Sequence, residues 1–212
     1  MIQSLSANSS LSLDRCLHEL LPAMLSCILS RQLCARPDVD NHWALREFSS
    51  RLLAQICKIY QIHNIRARVT QVLGQVWKNS NPSCATLYGS MYALQEIGWD
   101  AFRSIIVPQA AFLSQYIIKV KEDNSDHNHA EKVAADKLMN GATKAFINYA
   151  KTQRQSFKDL SDCIAVFSSF GESVHKQLVN EAPSVQSAPS NRSVQPNGRP
   201  TNIRGATTQR LF

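Results

Sequence analysis

Apolar residues recur every three or four positions through most of the 212-residue chain, and the polar stretches between these runs divide it into seven predicted helices. The first covers roughly residues 13–33, with Leu17, Leu20, Met24 and Ile28 on one face. The polar link CARPDVD leads to a second helix, with Asp40 or Asn41 as its N-cap and Leu45, Phe48, Leu52, Ile56 and Ile59 on its apolar side. On that helix Glu47 and Arg51 stand four apart, the spacing of a surface ion pair. The third helix carries Ile65, Val69, Val72 and Val76 and is closed by NSNPS, which joins turn formers to a proline. The fourth shows Leu87, Met91 and Leu94 and ends at Gly98, a residue suited to a left-handed C-cap.

Asp100 is the predicted cap of the fifth helix, whose stripe of Phe102, Ile105, Phe112, Tyr116 and Val120 is interrupted by Pro108. After the polar segment KEDNSDHNH, Asn128 and Glu131 have the spacing of a capping box for a sixth helix with Leu138, Ala142, Phe146 and Tyr149. Ser156 and Asp159 repeat that pattern before a seventh, in which Phe157, Leu160, Ile164, Phe167, Val174 and Leu178 alternate by threes and fours. This stripe fits packing against a neighbouring helix, with a short coiled coil as the other reading. Residues 1–12 and 181–212 lack such stripes. The second stretch is rich in Ser, Pro, Asn, Gln and Arg and offers too little apolar surface to offset ordering entropy, so it is expected to be a disordered basic tail after a domain over 13–180.

The predicted fold class is therefore all-α. Pro22 and Pro108 each interrupt an apolar run and lie 86 residues apart, while Leu45 with Leu87 and Leu52 with Leu94 share a spacing of 42. A period of about 40 to 47 residues with a helix pair per unit belongs to HEAT or armadillo repeats, so the architecture expected is an α-solenoid of HEAT-like helix pairs.

Composition narrows the function classes. Seven glycines leave little material for phosphate-cradling loops or Rossmann turns. The net charge of +7 is partly carried by Arg192, Arg199, Arg204 and Arg210, so the body is only mildly basic, and solvated surface explains it better than a nucleic-acid footprint. Six cysteines form no CxxC pair and read as reduced core residues of a cytosolic or nuclear protein. No apolar run is long enough to span a bilayer. His127 and His129 lie near Asp123 and Asp126, but no second cluster completes a metal site. Cys163 and His175, twelve residues apart on one predicted helix, stand too far apart for a thiol–imidazole pair. No catalytic residue, cofactor, metal or small-molecule substrate is assigned.

Four ordered blocks are more specific: LHELLPAMLSCILSRQL from Leu17, NHWALREFSSRLLAQIC from Asn41, IRARVTQVL from Ile65 and LYGSMYALQEIGWDAFRSIIVPQ from Leu87. Together they resemble the family of C-terminal HEAT-repeat domains of TBP-associated factor subunit six, a component of the general transcription factor TFIID. The resemblance spans about Cys16 to Ile117, with His42, Trp43, Arg46 and the Tyr88–Gly89 pair as its most specific parts. It implies a nuclear, non-catalytic scaffold that supports RNA polymerase II initiation, with other TFIID subunits as partners, related use in SAGA-type complexes, and promoter DNA as a secondary contact. A basic helical repeat that binds nucleic acid directly, through Arg66 and Arg68 on the third helix, is the rival reading. Family members carry a histone fold ahead of these blocks, whereas sixteen residues precede Leu17, so assembly through a histone-fold pair is not expected of this chain.

His42, Trp43, Arg46 and Tyr88 are candidate protein-binding residues, because Trp and Arg are enriched at interface hot spots. The competing reading buries Trp43 between repeats and ties Arg46 to a carboxylate such as Asp38 or Asp40. Close helix packing is the expectation at Gly89. Leu17 and Met24 join the candidates for another reason: the first helix resembles the second helix of an internal unit and no earlier helix is predicted to cover it, so part of its stripe is expected to face solvent or a partner.

Overall fold

The computed structural model describes residues 13–37, 39–60, 64–123, 129–153, 156–157 and 159–180. The predicted disordered ends, 1–12 and 181–212, lie outside these residues, as do Asp38, His127 and Asn128. Nine α-helices and no strand are present among the described residues: α1 Leu17–Leu29, α2 Trp43–Ile59, α3 Ile65–Gln75, α4 Cys84–Ile97, α5 Trp99–Ile105, α6 Ala110–Glu122, α7 His129–Thr152, α8 Leu160–Phe167 and α9 Gly171–Asn180. The all-α HEAT-like architecture stands, but two predicted helices are each divided.

Pro108 makes the first division. Proline has no N–H to give the carbonyl four residues back, and the ladder breaks into a 3-10 turn, Val107–Gln109, between α5 and α6. The second division carries no proline. Ser168 adopts φ 53°, a 3-10 turn covers Ser168–Phe170, and α9 begins at Gly171. A Cβ at Gly171 would lie 2.6 Å from Ile164 Cα and 2.7 Å from the Cys163 carbonyl group, so α9 folds back with its backbone against α8. The uniform stripe predicted for one long helix is correspondingly split: Phe167 and Val174 are inside, whereas Leu160 and Ile164 are 42% and 43% exposed. The hairpin also places Cys163 on α8 and His175 on α9, so the single helix on which their separation is reckoned is not present. Burial pushes the Cys163 thiol up, and Asp162 adds to it, which makes it an inert core group.

α4 is the central helix. It packs against α1, α2, α3, α5 and α7, and ten of its residues, among them Leu87, Tyr88, Gly89, Ser90 and Met91, are buried. Helices this uniformly buried are apolar nearly all round. Its N-terminus is fixed twice: Ser83 Oγ accepts from the Thr86 N–H at 3.1 Å, and the Cys84 N–H donates to the Glu131 carboxylate on α7. Glu131 therefore serves α4; the capping box expected at its own helix involves Asn128, which lies outside the described residues. Trp77 Nε1 donates to Ser90 Oγ at 3.0 Å, and Ser90 donates to the Leu73 carbonyl at 2.8 Å, which ties the end of α3 to α4. One part of the same core is aromatic: Phe102, Phe146, Tyr149, Phe157, Phe167 and Phe170 join α5, α7, α8 and the turns beside them.

Other caps differ from the sequence reading. Gly98 does end α4, but at φ 151°, ψ 157°, an extended mirror region open to glycine, and it also serves as N-cap of α5 in place of Asp100. His42, not Asp40 or Asn41, is the N-cap of α2. The internal alignment holds at Leu52 and Leu94, both buried, and fails at Leu45, which is 45% exposed where Leu87 is fully buried. Of the six cysteines, Cys57, Cys84 and Cys163 are buried, Cys27 and Cys34 are half-buried and Cys16 is exposed.

Candidate functional site

The C-terminal end of α1 has no basic side chain of its own in its last turn, and its final carbonyls need donors from elsewhere. Arg46 on α2 supplies them. It donates through Nη1 to the Ile28 carbonyl and through Nη2 to the Ser30 carbonyl, both at 2.7 Å, while Nε donates to His42 Nδ1 at 3.0 Å. Thr86 on α4 adds a bond to the Leu29 carbonyl at 2.9 Å. Arg46 is fully buried, and this burial lowers its guanidinium to about 10, which leaves it cationic at neutral pH. A positive charge at the negative end of a helix dipole is favourable, and the arginine fork suits two carbonyls better than a single ammonium. Arg46 is thus held by carbonyls and an imidazole; of the carboxylates in the competing reading, Asp40 forms no ion pair with it and Asp38 lies outside the described residues.

His42 completes the arginine's satisfaction and is itself constrained. Burial first, then the Arg46 charge, lower its pKa from the ordinary 6.5, while a hydrogen bond to the Pro37 backbone and the charge of Asp40 oppose the shift. A lone pair on Nδ1 is required to accept from Arg46, so the imidazole works here in its neutral form.

Around this node the aromatic groups interlock. Trp43 lies 4.1 Å from the His42 ring and meets Tyr88 edge to face at 5.1 Å. The Tyr88 hydroxyl donates to Glu47 Oε1 at 2.5 Å, and Arg51 Nη1 donates to the Tyr92 hydroxyl at 2.7 Å. Glu47 and Arg51 therefore reach across to α4 separately and do not form the predicted i,i+4 pair. Burial and the Glu47 carboxylate push the Tyr88 phenol up. Gly89 is where α4 crosses α1: a Cβ there would fall 2.0 Å from the Ile28 carbonyl oxygen, the same oxygen that receives Arg46. Close packing, as expected from the sequence, is the reason for glycine at this position. On the far side of Tyr88, a Cβ at Gly141 of α7 would approach its ring to 2.7 Å.

The six residues singled out as candidate contacts are placed inside. Arg46 is 0%, Tyr88 4%, Met24 5%, His42 6%, Leu17 8% and Trp43 9% exposed. Trp43 and Tyr88 follow the buried alternative. Leu17 and Met24 are a correction, since α1 lays that stripe against α2 and α4 and leaves Leu21, Pro22 and Leu25 on its outer side. What is exposed was assigned to the interior: Leu45 and Phe48 on α2 are 45% and 44% exposed, and Val72 on α3 is 39%. The sequence reading rotated α2 because its inner face contains Arg46, Ser49 and Ser50, polar residues that helix periodicity assigns to solvent. Thr86 escaped notice because a hydroxyl bonding a carbonyl on another helix has no local signature.

Helix pairs packed one after another, with the last carbonyls of α1 met by Arg46 and Thr86 from neighbouring helices, form a HEAT-type α-solenoid, a class whose extended faces serve as binding surfaces. The chain belongs to the TAF6 C-terminal HEAT repeat domain family, whose family model matches residues 1–111, the segment holding α1 to α5 and the whole arginine node. It is 39% identical over 141 residues to transcription initiation factor TFIID subunit 6 of Drosophila melanogaster, covering 64% of this chain and 23% of that protein. It is 25% identical over 149 residues to the SAGA complex/transcription factor TFIID complex subunit Taf6 of Schizosaccharomyces pombe, covering 69% of this chain and 32% of that protein. With the Arabidopsis thaliana TFIID subunit 6 it shares 31% identity over 109 residues, 50% of this chain and 20% of that one. The chain thus spans between about a fifth and a third of the length of these relatives.

Proposed function

We propose that the chain is a non-catalytic scaffold subunit of a TFIID-type, and by extension SAGA-type, complex, acting in the nucleus in RNA polymerase II initiation through contacts with other subunits. The observation that carries this reading is the match of the family model to residues 1–111, within which every group of the arginine node falls. In this proposal His42, Trp43, Arg46, Tyr88, Leu17 and Met24 serve assembly from inside. They fix α1, α2 and α4 relative to one another, and the outer faces of the helices make the contacts. A solenoid that presents surfaces to several partners needs such rigidity, since sliding of one pair displaces every later one.

Affinity purification of the tagged chain from nuclear extract, with identification of what accompanies it at rising salt, tests the proposal. The expected result is TFIID-type subunits retained across the salt series. A chain that stays cytosolic, or that captures no transcription subunit, overturns it. A second reading, direct contact with promoter DNA, rests on the exposed Arg66 and Arg68 of α3. Binding through those arginines would weaken steeply with salt, with a slope set by the number of phosphates contacted.

A further inference from the structure

A groove of about 490 Å³ runs between α1 and α3. Leu21, Pro22 and Leu25 form one wall, and Val69 and Val72 form the other. His18 and Arg68 stand on its rim, both exposed. Among the residues that line it, Arg68 is the one cation and none is acidic, while Arg66 faces a different groove beside Gly98. α3 contains Arg66 and Arg68 and no acidic residue, and the only acidic residue of α1, Glu19, lies 3.7 Å from His18. Among the described residues no carboxylate forms an ion pair with Arg68.

We propose that this groove is a docking site for an acidic amphipathic helix of a partner protein, one with apolar residues at i, i+3 or i+4, and i+7 flanked by Asp and Glu. The apolar walls take the anchors, as helix-in-groove recognition requires, and Arg68 and His18 meet the acidic flanks. The eleven residues of α3 give a wall of about 16 Å, room for about three turns of an incoming helix. A nucleic acid backbone would find Arg68 but nothing for Leu25 or Val69. A second copy docked through the same face would set Arg68 against Arg68 across the two-fold. The site deepens the assembly reading and rests on it for the partner's identity, but the binding is read in a purified pair.

The test is fluorescence anisotropy of the full chain with a synthetic labelled helix of about 18 residues, carrying Leu at the anchor positions and Glu on both flanks, against the same helix with every Glu replaced by Lys. The acidic helix is expected to bind at least about tenfold more tightly than the basic one, Val72→Gln to weaken it about tenfold, and Arg68→Glu to abolish the preference. Leu45→Gln, on the exposed side of α2, should leave the affinity unchanged. Circular dichroism confirms folding. If Val72→Gln unfolds the chain, the exposed Arg68→Glu variant carries the test alone. Equal affinity for the two helices, indifference to Val72→Gln, displacement of the acidic helix by a short DNA duplex, or dimerisation of the chain that competes with the helix would each overturn the proposal. Absence of helix binding with transcription subunits still captured from extract removes the groove alone. Helix binding with no subunit captured removes the assembly reading alone.

Discussion

Replacement of Arg46 by methionine is expected to be the most damaging polar substitution in the chain. Methionine keeps much of the packing volume but removes three hydrogen bonds and leaves the Ile28 and Ser30 carbonyls without their donor. Each orphaned buried acceptor costs about 1–3 kcal/mol, and bonds to a charged donor contribute about 1.5–3 kcal/mol each before solvation is offset. These overlap, because the same carbonyls are counted in both; no charge is left buried, and the three orphaned neutral acceptors together cost about 3–5 kcal/mol. Against a stability of about 5–15 kcal/mol for a domain, that loss is a large fraction. At about 2–4 °C per kcal/mol for a chain of this size, the melting temperature should fall by about 6–20 °C. Arg46→Lys should lie between, since one ammonium cannot reproduce the fork that spans two carbonyls and an imidazole. Arg51→Met, which loses one exposed bond to Tyr92, should cost less than about 1 kcal/mol. The assay is urea denaturation followed by circular dichroism. An Arg46→Met protein within about 0.5 kcal/mol of the parent, the scatter of ordinary surface changes, would refute the idea that this side chain holds α1 to α2.

Gly89→Ala should destabilise the chain by about 1–3 kcal/mol or more, because its Cβ meets backbone at 2.0 Å, whereas Gly74→Ala, which meets only the end of the Ile105 side chain at 3.2 Å, should be neutral or stabilising by up to about 1 kcal/mol; thermal melts of both decide it. His42 titrates below its ordinary 6.5 in the folded protein, so the unfolded chain binds the proton first: stability is full above about pH 6.5 and is lost as pH falls towards the lowered folded value. Urea midpoints from about pH 7.5 down to about pH 5 should show that loss, reduced in His42→Gln. Leu17→Gln with Met24→Gln should reduce helical signal and midpoint, since both side chains are buried, while Leu45→Gln with Phe48→Gln should change stability by less than about 1 kcal/mol; circular dichroism and light scattering on the two double variants compare them.

Much of this fold is written in local pattern. Leu138, Ala142, Phe146 and Tyr149 are all buried on α7 as their spacing predicts, and Pro108 marks the break between α5 and α6. Turns made without proline are not written that way. The Ser168–Phe170 turn depends on Gly171 fitting against the α8 backbone, a tertiary condition invisible to a window of apolar periodicity. Face assignment on α2 held at Leu52 and Ile56 and failed at Leu45, Phe48 and Ile59 for a related reason. A buried arginine reads as solvent-facing until its acceptors, the carbonyls 16 and 18 residues earlier, are known. The specific residues His42, Trp43, Arg46 and Tyr88 were legible as a group; that they form an interior joint, with the groove elsewhere, follows only from which helices meet.

Sedimentation of nuclear extract containing the tagged chain through a glycerol gradient tests the central claim most directly. As an assembly subunit, the 23.7 kDa chain should travel with TFIID-type subunits in a particle far larger than itself, and Arg46→Met should reduce that fraction. A chain found wholly at the position of a free 23.7 kDa protein, with no transcription subunit in its fractions, would contradict the account.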